Sequence, residues 1–296
     1  MTTRPSSLHV LVAPDLGARP RLRRRRNPPL LAGGALALAL VALAGLAPLI
    51  APYDPTALDP AGRLAPPGGA HLLGTDRLGR DVASRLLHGG RVAMAVGATA
   101  VLIGAGAGVP LGLVSGYRGG WLDGAIMRVM DGLVAFPALL LAIMMIAALG
   151  PGHVQAMLAI GIVLVPVFAR LSRAQALAVR HQEYVLAARA LGAPERRIVM
   201  RHVLPNIAGP LLVQGTVAFS GAVLAEASLS YLGLGTQPPT PSWGGMLQEA
   251  RDVFFIAWWM AIWPGVAIAA AVLGLNLLGD GLRDLLDPRL RGGLGR

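Results

Sequence analysis

Apolar residues in this chain fall in long unbroken blocks, unlike the one-sided stripes of water-soluble helices, and the charges sit between the blocks. Charge-free runs lie between Arg26 and Asp54, Arg91 and Arg118, Asp131 and Arg170, Arg201 and Glu226, and Asp252 and Asp280. A helix needs about 20 apolar residues to cross the hydrocarbon core. The third run is too long for one crossing, and Gly150-Pro151-Gly152-His153 in its middle has the composition of a turn. The pattern therefore predicts six transmembrane helices, at approximately 30–50, 92–115, 126–149, 154–173, 208–229 and 256–279.

Composition agrees and narrows the chemistry. The chain is 54% hydrophobic and 14% charged, with mean hydropathy +0.60, against about 25% charged residues in soluble domains. An all-α integral membrane protein is the fold class that follows. The net charge of +11 comes from Arg, because the sequence has no Lys. With no Cys there are no disulfides, thiolate metal sites or Cys nucleophiles. Without Lys there is no Gly-x-x-x-x-Gly-Lys-[Ser/Thr] phosphate loop, so ATP is not hydrolysed here by that route.

The distribution of Arg sets the expected orientation. With the N-terminus inside, 20 of the 26 Arg fall on the cytoplasmic side, and five of the remaining six lie in the loop after the first helix. Both termini are then cytoplasmic. The organisation reads as a basic tail at 1–29, a first helix at 30–50 and an extracytoplasmic loop at 51–91. A five-helix core at 92–280 follows, carrying a cytoplasmic hairpin at 175–205, and a tail at 281–296 ends the chain. The run Arg21-Leu22-Arg23-Arg24-Arg25-Arg26 abuts an apolar stretch longer than a signal-peptide core, so it reads as a topology anchor. A nucleic-acid patch is the competing reading, and no nucleic-acid partner is expected. Residues 1–20, with scattered Pro, Ser and Gly, are expected to be disordered. No internal repeat is visible, which weakens an inverted-repeat transporter architecture.

Within the spans, Gly104, Gly108, Gly112 and Gly116 recur every fourth residue on one helical face. Such a ridge allows close backbone approach, either inside the chain or against a partner subunit. Proline recurs at Pro110, Pro137, Pro166, Pro210 and Pro264, each permitting a kink. Arg128 and Asp131 are three apart and are expected to pair. Glu226 is the acid well inside a span; it is either a structural group bonded to its neighbours or a proton-coupling site. The six His, at 9, 71, 88, 153, 181 and 202, lack metal-site spacing, and Met144-Met145 reads as helix packing. No catalytic constellation and no metal site are expected.

The segment from Arg170 to Pro205 is patterned as two short helices. Residues 175–191 are strong helix formers, Gly192 supplies a stop, Pro194 restarts the chain, and 195–203 form the second helix. By pattern alone this hairpin either docks into a partner's groove or lies on anionic lipid. In the outer loop, Val82, Leu86 and Leu87 form a stripe opposite Arg80, Asp81, Ser84 and Arg85, which predicts an interfacial helix.

Four motifs resemble one family. Tyr184-Val-Leu-Ala-Ala-Arg-Ala-Leu-Gly192, with Leu204-Pro205-Asn206, is similar to the EAA loop of ATP-binding-cassette (ABC) importer permeases; the Glu that names the motif falls at Leu186. The run from Gly74 to Arg91 resembles the permeases of dipeptide, oligopeptide and nickel importers. So do Glu226 to Gly235 with Pro238-Pro239 and Ser242-Trp243-Gly244, and the ending Asn276 to Arg291, which is of the second-permease type. The resemblance implies an ABC-importer permease fold in a bacterial inner membrane, forming half of a pathway for peptides or a related small solute. It also implies two ATPase subunits that use ATP and Mg, a second homologous permease and an extracytoplasmic solute-binding protein, with no cofactor held by this chain. Glu183, Tyr184, Ala187, Ala188, Gly192, Ala193, Leu204 and Pro205 are the implied ATPase-coupling residues. The outer segments 60–91 and 231–255, with Trp243 and Gly244-Gly245, would meet the binding protein or gate the cavity. The alternative is a stand-alone secondary transporter with Glu226 as its ion-coupling group.

Overall fold

A computed structural model describes residues 27–286; the basic run 21–26 and the Asp287-Pro288 ending lie outside the described residues. The long elements among the described residues are helices, with longer loops at 51–81 and 232–242: α1 Pro28–Ile50, α2 Val82–Arg118, α3 Gly120–Val134, α4 Ala138–Leu149, α5 His153–Val179, α6 Glu183–Ala190, α7 Glu195–Ile198, α8 Leu204–Tyr231, α9 Trp243–Ala250 and α10 Trp259–Leu286. Five helical stretches are long and apolar enough to cross a membrane: α1, α2, α5, α10 and the continuous run Glu195–Tyr231. The pair α3–α4 makes a sixth if it is counted as one span, bent by 87°.

That bend splits the single span predicted at 126–149 into two helices, at the proline expected to permit a kink. Pro137 has no N–H to donate, and its ring disfavours helical geometry at Phe136. Helix α3 therefore ends at Val134, and α4 restarts with Pro137 as its N-cap. Pro110, Pro166, Pro210 and Pro264 each lie inside a continuous helix, so none of them splits its span. The turn at 150–152 does join two helices that pack on each other, α4 and α5.

The most extensive helix pair is α2 with α5. The glycine ridge sits in it: a Cβ at Gly104 would meet Leu164, at Gly108 the Val165 carbonyl and Phe168, at Gly112 the Ala169 carbonyl and Ser172 Oγ, and at Gly116 Arg173. Small residues here let two backbones come within contact distance, where dispersion holds helices together in lipid. Helix α1 lies on the outside, packed along α10. Its amino end is tied down by Asn27, which caps Leu30 N–H and donates to the Gly281 carbonyl at 3.1 Å. Helix α10 continues to Leu286, so the first residues of the segment predicted as a tail at 281–296 are helical.

The membrane-boundary charges pair across helices. Asp123 of α3 takes a two-pronged bond from Arg173 of α5, 2.6 Å from Nε and 2.7 Å from Nη2. Asp131 pairs with Arg170 at 2.7 Å, not with Arg128 as predicted. Helix α3 lies against α5, and the acid reaches the neighbouring helix before its own next turn.

Candidate functional site

The hairpin between α5 and α8 is built as follows. Helix α5 carries on to Val179, so residues 175–179, predicted as the start of the hairpin helix, belong to the long helix instead. After a turn at 180–182, α6 runs Glu183–Ala190 and stops at Gly192, whose φ of +76° suits glycine. Gly192 N–H bonds the Arg189 carbonyl and Ala193 N–H the Ala188 carbonyl, the paired bonds of a Schellman cap. Pro194 then starts α7. Residues Val199–Val203 form a π-turn, with Leu204 N–H bonded five residues back to Val199. Pro205, which cannot donate to Arg201, follows at once, and Asn206 Nδ2 satisfies the His202 carbonyl at 2.6 Å. The Leu-Pro-Asn triplet is thus a re-entry device, converting the hairpin into α8.

The hairpin has two faces. Inward, Val185, Ile198, Val203 and Ile207 are fully buried with Leu113 and Tyr117 of α2, and Ala188, Ala193 and Leu204 pack against them. Outward, Glu183, Tyr184, Ala187, Gly192 and Pro205 are exposed. Leu186, in the place of the motif Glu, is 47% exposed, and Leu191 is 88% exposed. An apolar tip that the chain's own core leaves in solvent needs another surface.

Sequence reading missed the anchors of this hairpin. Tyr117, at the end of α2, is buried; Arg189 of α6 donates to its hydroxyl at 3.1 Å and stacks its guanidinium 5.5 Å from the ring centre. That bond holds the Arg189 guanidinium above its ordinary pKa. Arg180 donates to the Gly116 carbonyl at 3.0 Å, closing the end of α2. A tyrosine at the last turn of a long apolar helix was the available signal.

At the other end of the bundle the structure reverses an expectation. The amphipathic interfacial helix is the first part of α2 itself, which runs 37 residues without interruption. Arg80, Asp81, Ser84 and Arg85, the side expected to be wetted, are all buried. Asp81 caps α2 through Ser84 N–H at 2.7 Å and contacts His71 Nδ1 at 2.9 Å. Asp76 takes Arg80 Nε at 2.6 Å and lies 3.4 Å from Arg85 Nε. Glu249 of α9 accepts from Arg80 at 2.8 Å and Arg85 at 3.0 Å. Charges leave water here because each guanidinium meets two carboxylates. Trp243 is also buried: it lies over Gly89 and Gly90 and donates to the Leu86 carbonyl at 2.9 Å, while Gly244 abuts the Ala227 carbonyl. Trp243 and Gly244 are therefore wedges between α2 and α8, not the contact or gate surface expected of them.

Glu226 is buried in α8, where its Oε1 accepts from Ser230 Oγ at 2.7 Å and Thr236 Oγ1 at 3.3 Å. The carboxyl ties the end of α8 to the loop that follows. Arg91, His88 and His153 come together at an open recess beside the first half of α2, although nothing in the sequence linked them.

Comparisons with known proteins agree with this architecture. Residues 108–292 match the family described as Binding-protein-dependent transport system inner membrane component, and residues 21–67 match the N-terminal TM domain of oligopeptide transport permease C. A putative peptide transport system permease protein of Brucella suis is 46% identical over 287 residues, 94% of this chain and 95% of that one. The di/tripeptide transport system permease protein of Pseudomonas aeruginosa is 46% identical over 266 residues, 88% of each chain. The glutathione transport system permease protein of Pectobacterium atrosepticum is 45% identical over 261 residues, covering 88% and 87%. Among solved structures, an inward-facing methionine ABC transporter shares the fold, with a TM-score of 0.55 at 17% identity over 69% of this chain and 96% of that one. A bent, proline-marked helix bundle with a protruding hairpin, matched along most of its length by such proteins, belongs to the binding-protein-dependent transport system inner membrane components: the chain is a transmembrane permease subunit of an ABC transporter.

Proposed function

We propose that this permease forms half of the import pathway for small peptides in a bacterial inner membrane, with both termini in the cytoplasm. It works with two ATPase subunits, a second permease of the same family and an extracytoplasmic solute-binding protein. The ATP and Mg are held by the ATPases. The observation that carries the reading is the two-faced hairpin, buried inward on Tyr117 and apolar outward at Tyr184, Leu186 and Leu191. Glu183, Tyr184, Ala187, Gly192 and Pro205 present the outward surface, and Ala188, Ala193 and Leu204 hold it against α2 and α8. Closure of the ATPases displaces the hairpin, and α2 and α8 carry that displacement across the membrane as one of two discrete arrangements. The peptide cargo is supported by the relatives from Brucella and Pseudomonas, whose names state it.

Two experiments test the proposal. Purification of the tagged chain in mild detergent should bring with it an ATPase pair and a second six-helix permease; a chain that emerges alone and still drives uptake in vesicles would overturn it. Replacing Gly192 by Val should strain the cap, since φ there is +76°, and should abolish uptake while membrane insertion stays normal. Wild-type uptake by that variant would sink the docking role of the hairpin. The stand-alone transporter reading has no support from the relatives.

A further inference from the structure

The outer part of α2 borders a recess of about 380 Å³ lined by His88, Arg91, Val92 and Ala95 of α2, His153 and Met157 of α5, and Thr240 and Pro241 of the loop before α9. Its volume is in the range of small-molecule sites, and its make-up is theirs too: apolar walls with a few polar groups. The polar groups are Arg91, His88, His153 and the Thr240 hydroxyl. No acid lines it. Arg77, Arg80 and Arg85 are each paired with carboxylates, whereas Arg91 makes no ion pair among the described residues. His88 commits Nδ1–H to the Ser84 carbonyl at 2.9 Å, so Arg91 is the group in the recess with free donors for an anion. Asp54, held low by Thr56 and to a smaller degree by His88, does not line the recess. Helix α5 begins here without a side-chain cap, and its dipole adds positive potential on the same side.

We propose that this recess is an anion site at the outer mouth of the pathway, and that it receives the terminal carboxylate of the solute as the binding protein releases it. The proposal rests on the importer reading and names the end of the substrate that is recognised. Arg91 is the specificity-determining residue: its planar fork matches a carboxylate with two parallel hydrogen bonds, and Val92, Ala95, Met157 and Pro241 form apolar walls beside it. The amine end of the peptide is left for the second permease or the lumen.

The absence of cysteine makes a direct test available. Ala95→Cys, at an exposed position in the recess, is assembled with cysteine-free partner subunits and labelled with an anionic sulfonatoethyl and a cationic trimethylammonium thiosulfonate reagent. Rates are normalised to a free thiol. The anionic reagent should react about tenfold faster than the cationic one, as a focused positive potential requires. Arg91→Gln should bring the ratio to about one, and dialanine, but not its C-terminal amide, should protect the introduced thiol from the anionic reagent. Equal rates with Arg91 present, or equal protection by dialanine and its amide, would overturn the proposal. So would labelling that is lost in the assembled complex but present in the isolated chain, because the second permease would then cover the recess. Failure of the importer reading shows separately, as the absence of ATPase subunits from the purified complex.

Discussion

Glu226 shows how a single residue invites two readings. Its carboxyl is buried in the bilayer zone, which marks functional acids in many transporters, yet Oε1 accepts from Ser230 of α8 and from Thr236 of the loop that follows. Gln keeps an acceptor in that position and carries no titratable proton. Glu226→Gln should therefore retain uptake close to wild type, whereas Glu226→Leu should lose about 1–3 kcal/mol by leaving the two hydroxyls unpartnered in a dry site. Thermal unfolding in detergent and uptake in vesicles read the two effects separately; loss of uptake in the Gln variant with normal melting would make the acid a participant in transport. The sequence showed that the acid was there. It could not show Thr236 beside it, because a loop ten residues on returns only when the chain is folded.

Among the elements, the α2–α5 contact and the α2–α6 joint make opposite demands on side-chain size. Gly112 has no room for a Cβ, which would enter the Ala169 carbonyl, while Gly106 on the same helix has nothing within 4 Å. Gly112→Val should lower the melting temperature strongly, by the equivalent of about 3 kcal/mol or more of overpacking. Gly106→Ala should leave it unchanged or raise it, since alanine in a helix gains about 0.5–1 kcal/mol over glycine. Equal behaviour of the two would remove the ridge argument. At the joint, Tyr117→Phe keeps the ring beneath Arg189 and deletes one charge-assisted hydrogen bond, of the kind stronger than its neutral counterpart. Amide exchange across Glu183–Ala190 should accelerate with that loss while α2 itself stays protected. Unchanged exchange would mean that the inward apolar face alone holds the hairpin.

At the scale of the whole molecule, α2 is the member that reaches both ends. Its 37 residues span about 55 Å, far more than the hydrocarbon core, so its first turns stand among the loop 51–81 and α9 while Tyr117 meets the hairpin. Glu249 closes the end opposite the hairpin by bridging Arg80 and Arg85. Glu249→Ala should destabilise the fold by about 3 kcal/mol, the low end for a broken buried pair because Glu249 keeps some contact with water. New protease cleavage within 51–81 should accompany it; a wild-type melt and digestion pattern would show that the cluster is not what fastens the loop.

Much of this protein is determined by composition along the chain alone. Apolar runs of helical length must be helices in lipid, because backbone groups there find partners only within the segment, and so α1, α2, α5, α8 and α10 were legible before any coordinates. The Gly192 stop and the Pro194 restart were legible for a similar reason: both act through their own backbone. Tertiary structure alone decided the rest. The break at Pro137 became a right-angle bend and not a mild kink, although Pro110, Pro166, Pro210 and Pro264 carry the same local chemistry. The polar side of the first turns of α2 turned inward, because Glu249, distant in sequence, arrived beside the local Asp76 to neutralise Arg80 and Arg85. Trp243 became a wedge because Gly89 and Gly90 leave it space. Local sequence sets what a segment can be; which charges meet, and which faces stay in water, depends on partners that only folding brings within reach.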